Sequence, residues 1–330
     1  MHTLPVDGFD QVLRLDCAGT TAFLAIHSHI AGRAFGGIRI RAYNNEQLAL
    51  DDALALSQAM SRKAVLAGIH GGGAKTVMLL PEPERRRPAL IALAAAIEGL
   101  HGRYCAGGDY GFTSDDSDIV GSRTRFLASG DLDDATAAGV EAALCALFLP
   151  KRVALQGLGR VGLTLAKRLL QRGIKVIAAD PKPPEDLPPE ITLVDPQAIT
   201  SIECDVFAPC AHGGLLGRPQ IEALRCRMVC GAANNPLTSE ADAEHLRRRG
   251  IAYVPDFIAN AGGLISGAST TLGEANMINA RMAALPDLVR EVTRRAEAQE
   301  RSAHQVAIEL ADARLAKLRD PPPSAAAGRP

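Results

Sequence analysis

Residues 153–180 read VALQGLGRVGLTLAKRLLQRGIKVIAAD, and this stretch sets the architecture of the second half of the chain. A short apolar run, VALQ, leads directly into the glycine pattern GxGxxG. A helical segment and a second apolar run, KVIAAD, follow. Strand, tight turn, helix and strand in this order form the βαβ unit of a doubly wound parallel sheet. The sequence therefore predicts a Rossmann-type α/β fold in this half.

The three glycines of GLGRVG fit a turn that binds a dinucleotide. Gly157 permits the tight turn, Gly159 lets backbone approach a pyrophosphate, and Gly162 allows close helix packing. The start of the helix then offers partial positive charge to the phosphates. A glycine turn that only packs strand against helix is the alternative. The positions assigned to the cofactor here are Gly157, Gly159, Arg160, Val161 and Gly162.

An acidic residue strengthens the prediction of a dinucleotide site. Asp180 ends the next predicted strand, eighteen residues beyond Gly162. A carboxylate there accepts hydrogen bonds from ribose hydroxyls and repels a 2′-phosphate. Lys182 partly offsets that repulsion. The pattern predicts NAD as the cofactor in preference to NADP.

Composition limits the kinds of partner that we expect. The chain has 330 residues and 34.7 kDa, which favours two domains with a cleft between them. With 36 basic and 37 acidic residues, it lacks the overall field that holds nucleic acid or an anionic membrane. The N-terminus shows neither a signal peptide nor a spanning segment. These features predict a cytoplasmic protein that binds small molecules.

The seven cysteines predict free thiols. They form an odd set without a CxxC pair, which is typical of a reducing compartment. Cys226, Cys230 and His212 are conceivable zinc ligands, but no second paired motif accompanies them. We therefore expect no metal site.

The first half of the chain reads as mixed α/β. Strand-like runs occupy 11–16, 21–27 and 36–40, and helical stretches occupy 46–62 and 86–100. The pattern changes at DLDDATAAGV, where Asp133 or Asp134 is expected to cap a helix running to Pro150. We place the domain boundary near residue 135. The first domain then covers 1–135, the second 136–320 with two C-terminal helices, and 321–330 is expected to be a disordered tail.

Two lysines, Lys63 and Lys75, flank the glycine run of AMSRKAVLAGIHGGGAKTVMLL, residues 59–80. Glycines let backbone crowd a ligand, and Lys75 is expected at the entrance of the strand TVMLL. Burial and a second cation both lower a lysine pKa, which makes Lys75 a candidate base. A P-loop is excluded because position 74 is alanine and a strand follows. Surface lysines on a glycine turn are the remaining alternative.

Several motifs together resemble the glutamate, leucine, phenylalanine and valine dehydrogenase family, in particular its leucine and phenylalanine branch. They occur in family order and comprise GGIRI (36–40), AMSRK (59–63), GGGAKT (71–76), RYCAGGDYG (103–111), DATAAGV (134–140), VALQGLGRVG (153–162), CDVFAPCA (204–211), GAANNPLT (231–238) and VPDFIANAGGLIS (254–266). The resemblance implies NAD-dependent oxidative deamination of an amino acid, with residues 1–135 binding substrate and forming a dimer.

The resemblance also implies roles for single residues. Lys63 resembles the lysine that pairs with the substrate carboxylate, Lys75 the lysine that activates water, and Asp109 the acid that relays protons. Thr136 resembles a hydroxyl near cofactor and substrate. Ala211, Asn234 and Asn260 match positions close to the cofactor. Turn or capping roles remain open for Asp109 and the two asparagines.

Substrate preference follows from one position within the resemblance. Glutamate dehydrogenases carry a lysine before the GG of this motif, and here Phe35 stands before Gly36 and Gly37. Burying a distal carboxylate beside Phe35 is costly, so an apolar amino acid is expected. Met60 and Gly107 occupy other family pocket positions. Leucine, valine, phenylalanine and tryptophan stay open.

Three expectations concern assembly and alternative functions. The chain ends earlier than the family and is expected to lack a final helix that returns to the first domain, so we expect a homodimer. A non-catalytic NAD-binding regulatory protein on the same scaffold is the alternative function. A hydroxy-acid dehydrogenase would require a histidine and carboxylate pair, and Lys75 with Asp109 suits amine chemistry better.

Overall fold

A computed structural model describes residues 1–128 and 130–319. The predicted tail, 321–330, lies outside the described residues. The described residues divide into two compact units: unit 1 comprises residues within 1–130, 267–275 and 311–319, and unit 2 comprises 131–266 and 276–310. The predicted boundary at residue 135 falls four residues inside unit 2. None of the helices within the described ranges is long and apolar enough to cross a membrane.

Unit 1 contains a mixed sheet. Its strands in the described residues are β1 (His2–Thr3), β2 (Gln11–Cys17), β3 (Thr20–Ile26), β4 (Ala34–Arg41), β5 (Gly72–Leu79) and β6 (Tyr104–Gly108). They lie in the order β1-β2-β3-β5-β4-β6. Neighbours from β1 to β5 are antiparallel, whereas β5, β4 and β6 are parallel.

Two helices cover the faces of this sheet. Helix α1 (Glu46–Leu66) begins at Asn45, whose side chain accepts a hydrogen bond from the Leu48 amide. It packs on the face that carries Val77, and α2 (Pro83–Glu98) covers the face that carries Met78. Because strand side chains alternate, β2, β3 and β5 contribute to both cores. Helix α3 (Ser114–Gly121) completes this part of unit 1.

Unit 2 contains the predicted parallel sheet. Its strands are β7 (Arg152–Gln156), β8 (Lys175–Ala179), β9 (Thr192–Leu193), β10 (Val206–Pro209), β11 (Met228–Val229) and β12 (Ala252–Tyr253). Every neighbouring pair is parallel, in the order β12-β11-β10-β7-β8-β9. This is the strand order of the doubly wound dinucleotide-binding fold. The predicted fold class is confirmed.

The remaining helices follow in chain order. They are α4 (Leu132–Leu144), α5 (Arg160–Gln171), α6 (Arg218–Ala223), α7 (Glu240–Arg248), α8 (Asp256–Ala259), α9 (Gly262–Thr271), α10 (Ile278–Ala298) and α11 (Ala303–Leu318), with short 3-10 helices at Ile199–Ser201 and Ala275–Met277. The end of α11 belongs to unit 1, where Arg62 pairs with Asp312 and Arg319 pairs with Asp10. The expectation that the chain lacks a final helix returning to the first domain is therefore wrong.

The start of α4 corrects one sequence prediction. Asp131, and neither Asp133 nor Asp134, is the N-cap, because its side chain accepts a hydrogen bond from the Asp134 amide at 2.9 Å. The two predicted caps lie in the first turn, where acidic side chains complement the helix dipole. The helix ends at Leu144, six residues before Pro150.

Candidate active site

Strand alternation brings predicted site residues to one face of the first sheet. Val77 packs against α1, and Lys75 lies two residues earlier in the same strand, so both point to that face. Phe35 is paired in register with Gly73, which places Phe35 and Gly37 of β4 on the same side. Lys75, Phe35 and Gly37, all candidate site residues, therefore lie on the sheet face that α1 covers.

Lys75 lies within β5, which differs from its expected place at the strand entrance. The strand begins at Gly72, and Lys75 is its fourth residue. Gly72 and Gly73 belong to this strand, and neighbouring backbone leaves no room for a side chain at either position. A Cβ on Gly72 would lie 1.9 Å from the Ser28 carbonyl oxygen. A Cβ on Gly73 would lie 2.0 Å from the Ser61 amide nitrogen of α1. The glycine run lets α1 lie directly on this strand.

Lys75 and Asp109 form a buried ion pair. The Nζ atom of Lys75 lies 2.7 Å from Oδ2 of Asp109, and the lysine is 5% exposed. Asp109 directly follows β6, whose register with β4 pairs Gly107 with Gly37. The parallel strands thus join residues that are 34 positions apart in the chain. Two predicted catalytic residues are brought together.

A third charged residue binds the same carboxylate oxygen. Nε of Arg39 donates to Oδ2 of Asp109 at 2.9 Å, and Nη1 of Arg39 lies 3.0 Å from Oδ2 of Asp52. Tyr43 donates its hydroxyl to the same oxygen of Asp52. Oδ1 of Asp109 has no hydrogen bond to any other described residue. One oxygen of Asp109 is held by two cations and the other is free to bind a ligand.

The pKa values of Lys75 and Asp109 are both lowered, but by different causes. Burial lowers the pKa of Lys75; Asp109 opposes that shift, and Arg39 adds to it. Burial alone would raise the pKa of Asp109, but Lys75 and Arg39 outweigh it and hold that pKa well below its usual range. A lysine that loses its proton readily beside a carboxylate that stays charged suits general-base chemistry.

Glycines form the floor beneath the ion pair. A Cβ on Gly37 would lie 2.9 Å from Cβ of Asp109 and 3.0 Å from Nζ of Lys75. Gly36 faces the opposite side, where a Cβ would overlap the Ala74 carbonyl. Among the described residues, a Cβ on Gly107 would meet only Ala128, at 4.0 Å. The first two positions require glycine, and Gly107 leaves open space.

Two further substrate candidates lie on α1, which packs on this face, and a third lies on β4. Lys63 lies in the last turn of α1, and Met60 lies on the same helix, with its backbone against Gly73. The ring of Phe35 is buried and covers Gly71, where a Cβ would lie 2.3 Å from Cε2 of that ring. An apolar ring occupies the position at which the resemblance implies discrimination between side chains.

In unit 2 the GLGRVG turn has the predicted shape. Gly157 has a φ of 101°, and a Cβ on Gly162 would lie 2.1 Å from the Gly157 carbonyl oxygen, so both positions need glycine. Nothing lies within 4 Å of a Cβ on Gly159. Helix α5 starts at Arg160, so its first amide groups point toward this open space. Arg160 is exposed and pairs with Asp133 at 2.9 Å, and Val161 is half-buried.

Asp180 is held at the end of β8 by backbone donors. Its Oδ2 accepts from the Leu158 amide at 2.7 Å and its Oδ1 from the Lys182 amide at 2.8 Å. These bonds orient the carboxylate beside the glycine turn. Each oxygen keeps a second lone pair for a further donor.

Two candidate asparagines contact each other. The amide of Asn260 donates to Oδ1 of Asn234 at 2.8 Å and to the Ala232 carbonyl at 3.1 Å. Oδ1 of Asn260 is buried without a partner in the described part of the chain. Ala211 follows β10 and lies against Gly157. Thr136 donates to the Leu132 carbonyl and lies close to Gly263.

The cysteines and histidine considered as metal ligands do not meet. Among residues 1–128 and 130–319, no group of three metal-binding side chains is found. Cys226 is half-buried and Cys230 is buried, whereas His212 is exposed, with Nδ1 2.9 Å from the Gly213 carbonyl oxygen. The zinc alternative has no structural support.

Comparisons with known proteins address the family. Residues 14–121 match the family model described as Glu/Leu/Phe/Val dehydrogenase, dimerisation domain, and residues 185–320 match the one described as Glutamate/Leucine/Phenylalanine/Valine dehydrogenase. Leucine dehydrogenase of Thermoactinomyces intermedius is 36% identical over 280 residues, which covers 78% of this chain and 76% of that protein. This chain belongs to the Glu/Leu/Phe/Val dehydrogenase family. It is an amino-acid dehydrogenase of the leucine and phenylalanine branch.

Further similarities agree with this family. Phenylalanine dehydrogenase of Lysinibacillus sphaericus is 37% identical over 283 residues, covering 78% of this chain and 74% of that protein. The crystal structure of L-tryptophan dehydrogenase from Nostoc punctiforme has a TM-score of 0.78 at 31% identity, covering 94% and 96% of the two chains. Hetero-hexameric glutamate dehydrogenase from Thermus thermophilus shares the fold, with a TM-score of 0.75 at 23% identity, covering 93% and 88%.

Sequence reasoning missed Arg39, Asp52 and Tyr43. Period-two alternation from Gly37 would have placed Arg39 on the face of Lys75. Asp52 and Lys63 are eleven residues apart, about three helical turns, so they lie on one stripe of α1. Tyr43 lies in the loop before α1 and carries no such periodic signal.

Proposed function

We propose that this family member oxidatively deaminates an apolar L-amino acid to its 2-oxo acid and ammonium, or catalyses the reverse reductive amination, with NAD as the cofactor. The observation that carries the proposal is the buried contact between Lys75 and Asp109, at 2.7 Å. A lysine with a lowered pKa and a carboxylate with one free oxygen are the two groups that amine oxidation requires.

The residues of unit 2 fit a dinucleotide. The open space over Gly159 and the start of α5 suit a pyrophosphate, and the oriented carboxylate of Asp180 suits ribose hydroxyls. The unpaired buried oxygen of Asn260, next to Asn234, suits an amide donor such as a carboxamide. When bound, the nicotinamide ring would accept the hydride from the α-carbon.

The chain's own residues would manage the substrate and its protons. Lys63 would pair with the α-carboxylate, and Asp109 would take a proton from the α-ammonium group through its free Oδ1. Loss of hydride leaves a carbon–nitrogen double bond. Lys75 in its neutral form would remove a proton from water as the oxygen adds to that carbon. Asp109 would return a proton to nitrogen as the carbon–nitrogen bond breaks, and the hydroxyl group on the same carbon would lose its proton to water, which releases the 2-oxo acid and ammonia. Ammonia is protonated in solution, and Lys75 releases its proton to solvent before the next turnover.

An apolar side chain is the proposed substrate feature. Phe35 is buried and offers no charge to a distal carboxylate, and Gly107 leaves space beside it. Burying an unpaired carboxylate there would cost several kcal/mol. Met60 and Thr136 are proposed as further substrate contacts.

Turnover of amino acids tests the activity. NADH formation would be followed at alkaline pH across the L-amino acids for the wild type and for Lys75→Ala. Lys167→Ala, which removes an exposed lysine of α5, is the matched control. We expect turnover of apolar amino acids that Lys75→Ala loses and Lys167→Ala keeps. Undiminished activity in Lys75→Ala would contradict the proposal. NAD binding without turnover of any amino acid would favour the regulatory alternative.

Cofactor choice is tested separately. NADH and NADPH would be titrated into the wild type and into Asp180→Asn, which keeps the side-chain size and removes its charge. We expect the wild type to prefer NADH and the variant to lose most of that preference, because the carboxylate repels a 2′-phosphate. Equal affinities in the wild type would overturn the role of Asp180.

Domain roles and assembly are part of the same proposal. Residues 1–135 would bind substrate and form a homodimer, and residues 136–320 would bind NAD. The protein would act in the cytoplasm. The family match of residues 14–121, described as a dimerisation domain, supports association through the first part of the chain. Light scattering of the purified chain should give about twice the 34.7 kDa of one copy. A monomer would contradict this assignment.

A further inference from the structure

A second candidate site lies in unit 1, away from Lys75 and Asp109. A cavity of about 530 Å³ opens where β4 and β6 begin, and neither of those residues lines it. Arg103, on its wall, precedes β6, whereas Asp109 follows that strand. Six residues of extended chain correspond to roughly 20 Å. The cavity is therefore separate from the ion pair.

Two similar turns place Arg33 and Arg103 on the wall of this cavity. Each turn has a residue with positive φ, then glycine and arginine: Ala31 (φ 52°) in AGR, 31–33, and His101 (φ 50°) in HGR, 101–103. The next residues, Ala34 and Tyr104, are register partners in neighbouring parallel strands. Arg33 and Arg103 are consequently held about one strand spacing apart, near 5 Å.

A third arginine comes from another segment. Arg125 lies on the cavity wall, with its guanidinium 5.1 Å from the ring centre of Phe126. Glu98, a nearby carboxylate, accepts instead from the Thr124 hydroxyl and the Arg125 backbone amide. Thr270 and Thr271 border the same space.

The charge of these arginines is not balanced by the protein. In the described parts of the chain, none of Arg33, Arg103 and Arg125 takes part in an ion pair. Many other arginines do, such as Arg62 with Asp312 and Arg86 with Asp116. Because the whole chain has a net charge of −1, this is a local excess of positive charge. Three guanidinium groups around one cavity repel each other unless an anion lies between them.

We propose that this cavity is a binding site for a small oxyanion with two or more negative charges. Guanidinium groups form paired hydrogen bonds with phosphate and carboxylate oxygens. The volume falls in the range of small-ligand sites. Phosphate and polycarboxylate ligands share this chemistry, and the test below separates them.

Calorimetric titration tests the site without requiring catalysis. The whole chain would be titrated with pyrophosphate and, separately, with citrate, at constant ionic strength. We expect one saturable site per chain for at least one probe, and the tighter probe identifies the ligand class. Arg33→Gln and Arg103→Gln should each weaken binding at least tenfold. Arg123→Gln, an exposed arginine outside the cavity, is the matched control and should leave binding unchanged.

Several outcomes would overturn the proposal. One is the absence of saturable binding of either anion, and another is equal weakening by Arg123→Gln. Binding that Arg33→Gln and Arg103→Gln leave intact would place the anion elsewhere, such as at the GLGRVG turn. A change of oligomeric state in these variants, with unchanged anion binding, would assign the arginines to contacts between copies. Thermal unfolding of each variant verifies that it is folded.

Discussion

Lys75 and Asp109 meet in a buried ion pair, with Nζ of the lysine 2.7 Å from Oδ2 of the aspartate. That oxygen also accepts a hydrogen bond from Arg39 at 2.9 Å, so both cations hold one side of the carboxylate. The other oxygen remains available. In the proposed mechanism, this asymmetry would orient Asp109 toward the substrate and keep Lys75 within reach of the reacting carbon.

Replacing Asp109 with asparagine should remove proton transfer and keep the shape of the side chain. We expect kcat to fall by about 10²–10⁴-fold, the usual contribution of a general acid or base. Asp118→Asn, which changes an exposed aspartate of α3, is the control. Steady-state rates measure the effect, and thermal unfolding verifies the fold. Asp109→Asn with nearly wild-type kcat would exclude proton relay by this residue.

Arg39 and Asp52 should shift the pH profile in opposite directions. Arg39 lowers the pKa of Lys75, and Asp52 raises it. Deamination needs neutral Lys75, so kcat/KM falls when the pH drops below that pKa. Arg39→Gln should therefore move the acidic limb to higher pH, and Asp52→Asn should move it to lower pH.

The comparison of these two variants separates electrostatics from packing. A purely structural role would reduce activity in both variants without moving the limb in opposite directions. Shifts of the same sign in kcat/KM against pH would show that Lys75 does not control the acidic limb.

Gly37 should be sensitive to a single methyl group. In Gly37→Ala the new Cβ would lie 2.9 Å from Cβ of Asp109 and 3.0 Å from Nζ of Lys75, so the pair must move. Misplacement of reacting groups by about 1 Å can cost on the order of 100-fold in rate. Gly121→Ala is the control, because its Cβ would meet Leu127 at an ordinary 3.6 Å. Equal kcat values for both variants would contradict this account.

The lowered pKa of Asp10 should make the free energy of unfolding depend on pH in the acidic range. Burial alone would raise its pKa, but hydrogen bonds from His29 and Arg319 outweigh burial and lower it. The folded-state pKa is then below the unfolded one, so this contribution is present above the unfolded pKa, near 3.9, and is lost as pH falls through the folded value. Arg319→Gln should destabilise the protein by about 1–3 kcal/mol at neutral pH.

Thermal unfolding from pH 7 to pH 3 measures the role of Arg319. The difference in Tm between the wild type and Arg319→Gln should shrink as the pH falls, because Asp10 becomes protonated. Arg123→Gln should match the wild type throughout. A difference that persists at the lowest pH would show that Arg319 acts through packing.

Local sequence was sufficient to predict the parallel-sheet half of the fold. Gly157 has a positive φ, and the Gly157 carbonyl oxygen leaves no room for a Cβ on Gly162. Both constraints arise within the GLGRVG segment itself. The alternation of apolar runs with helices then led to the parallel sheet. Even here the cap of α4 was misplaced, because Asp131, Asp133 and Asp134 are equally good candidates by residue type.

The charge network could not be obtained from local sequence, because it depends on strand register. The motifs pointed to Lys75 and Asp109 separately, but their contact requires β4 and β6 to pair Gly37 with Gly107. The same parallel pairing sets Arg39 against Asp109 and puts Arg33 beside Arg103 at the other end of the strands. Contacts between residues dozens of positions apart follow from packing of the whole sheet. The sequence could name Lys75 and Asp109 as candidate catalytic residues, and three-dimensional packing selected their partners and set the directions of their pKa shifts.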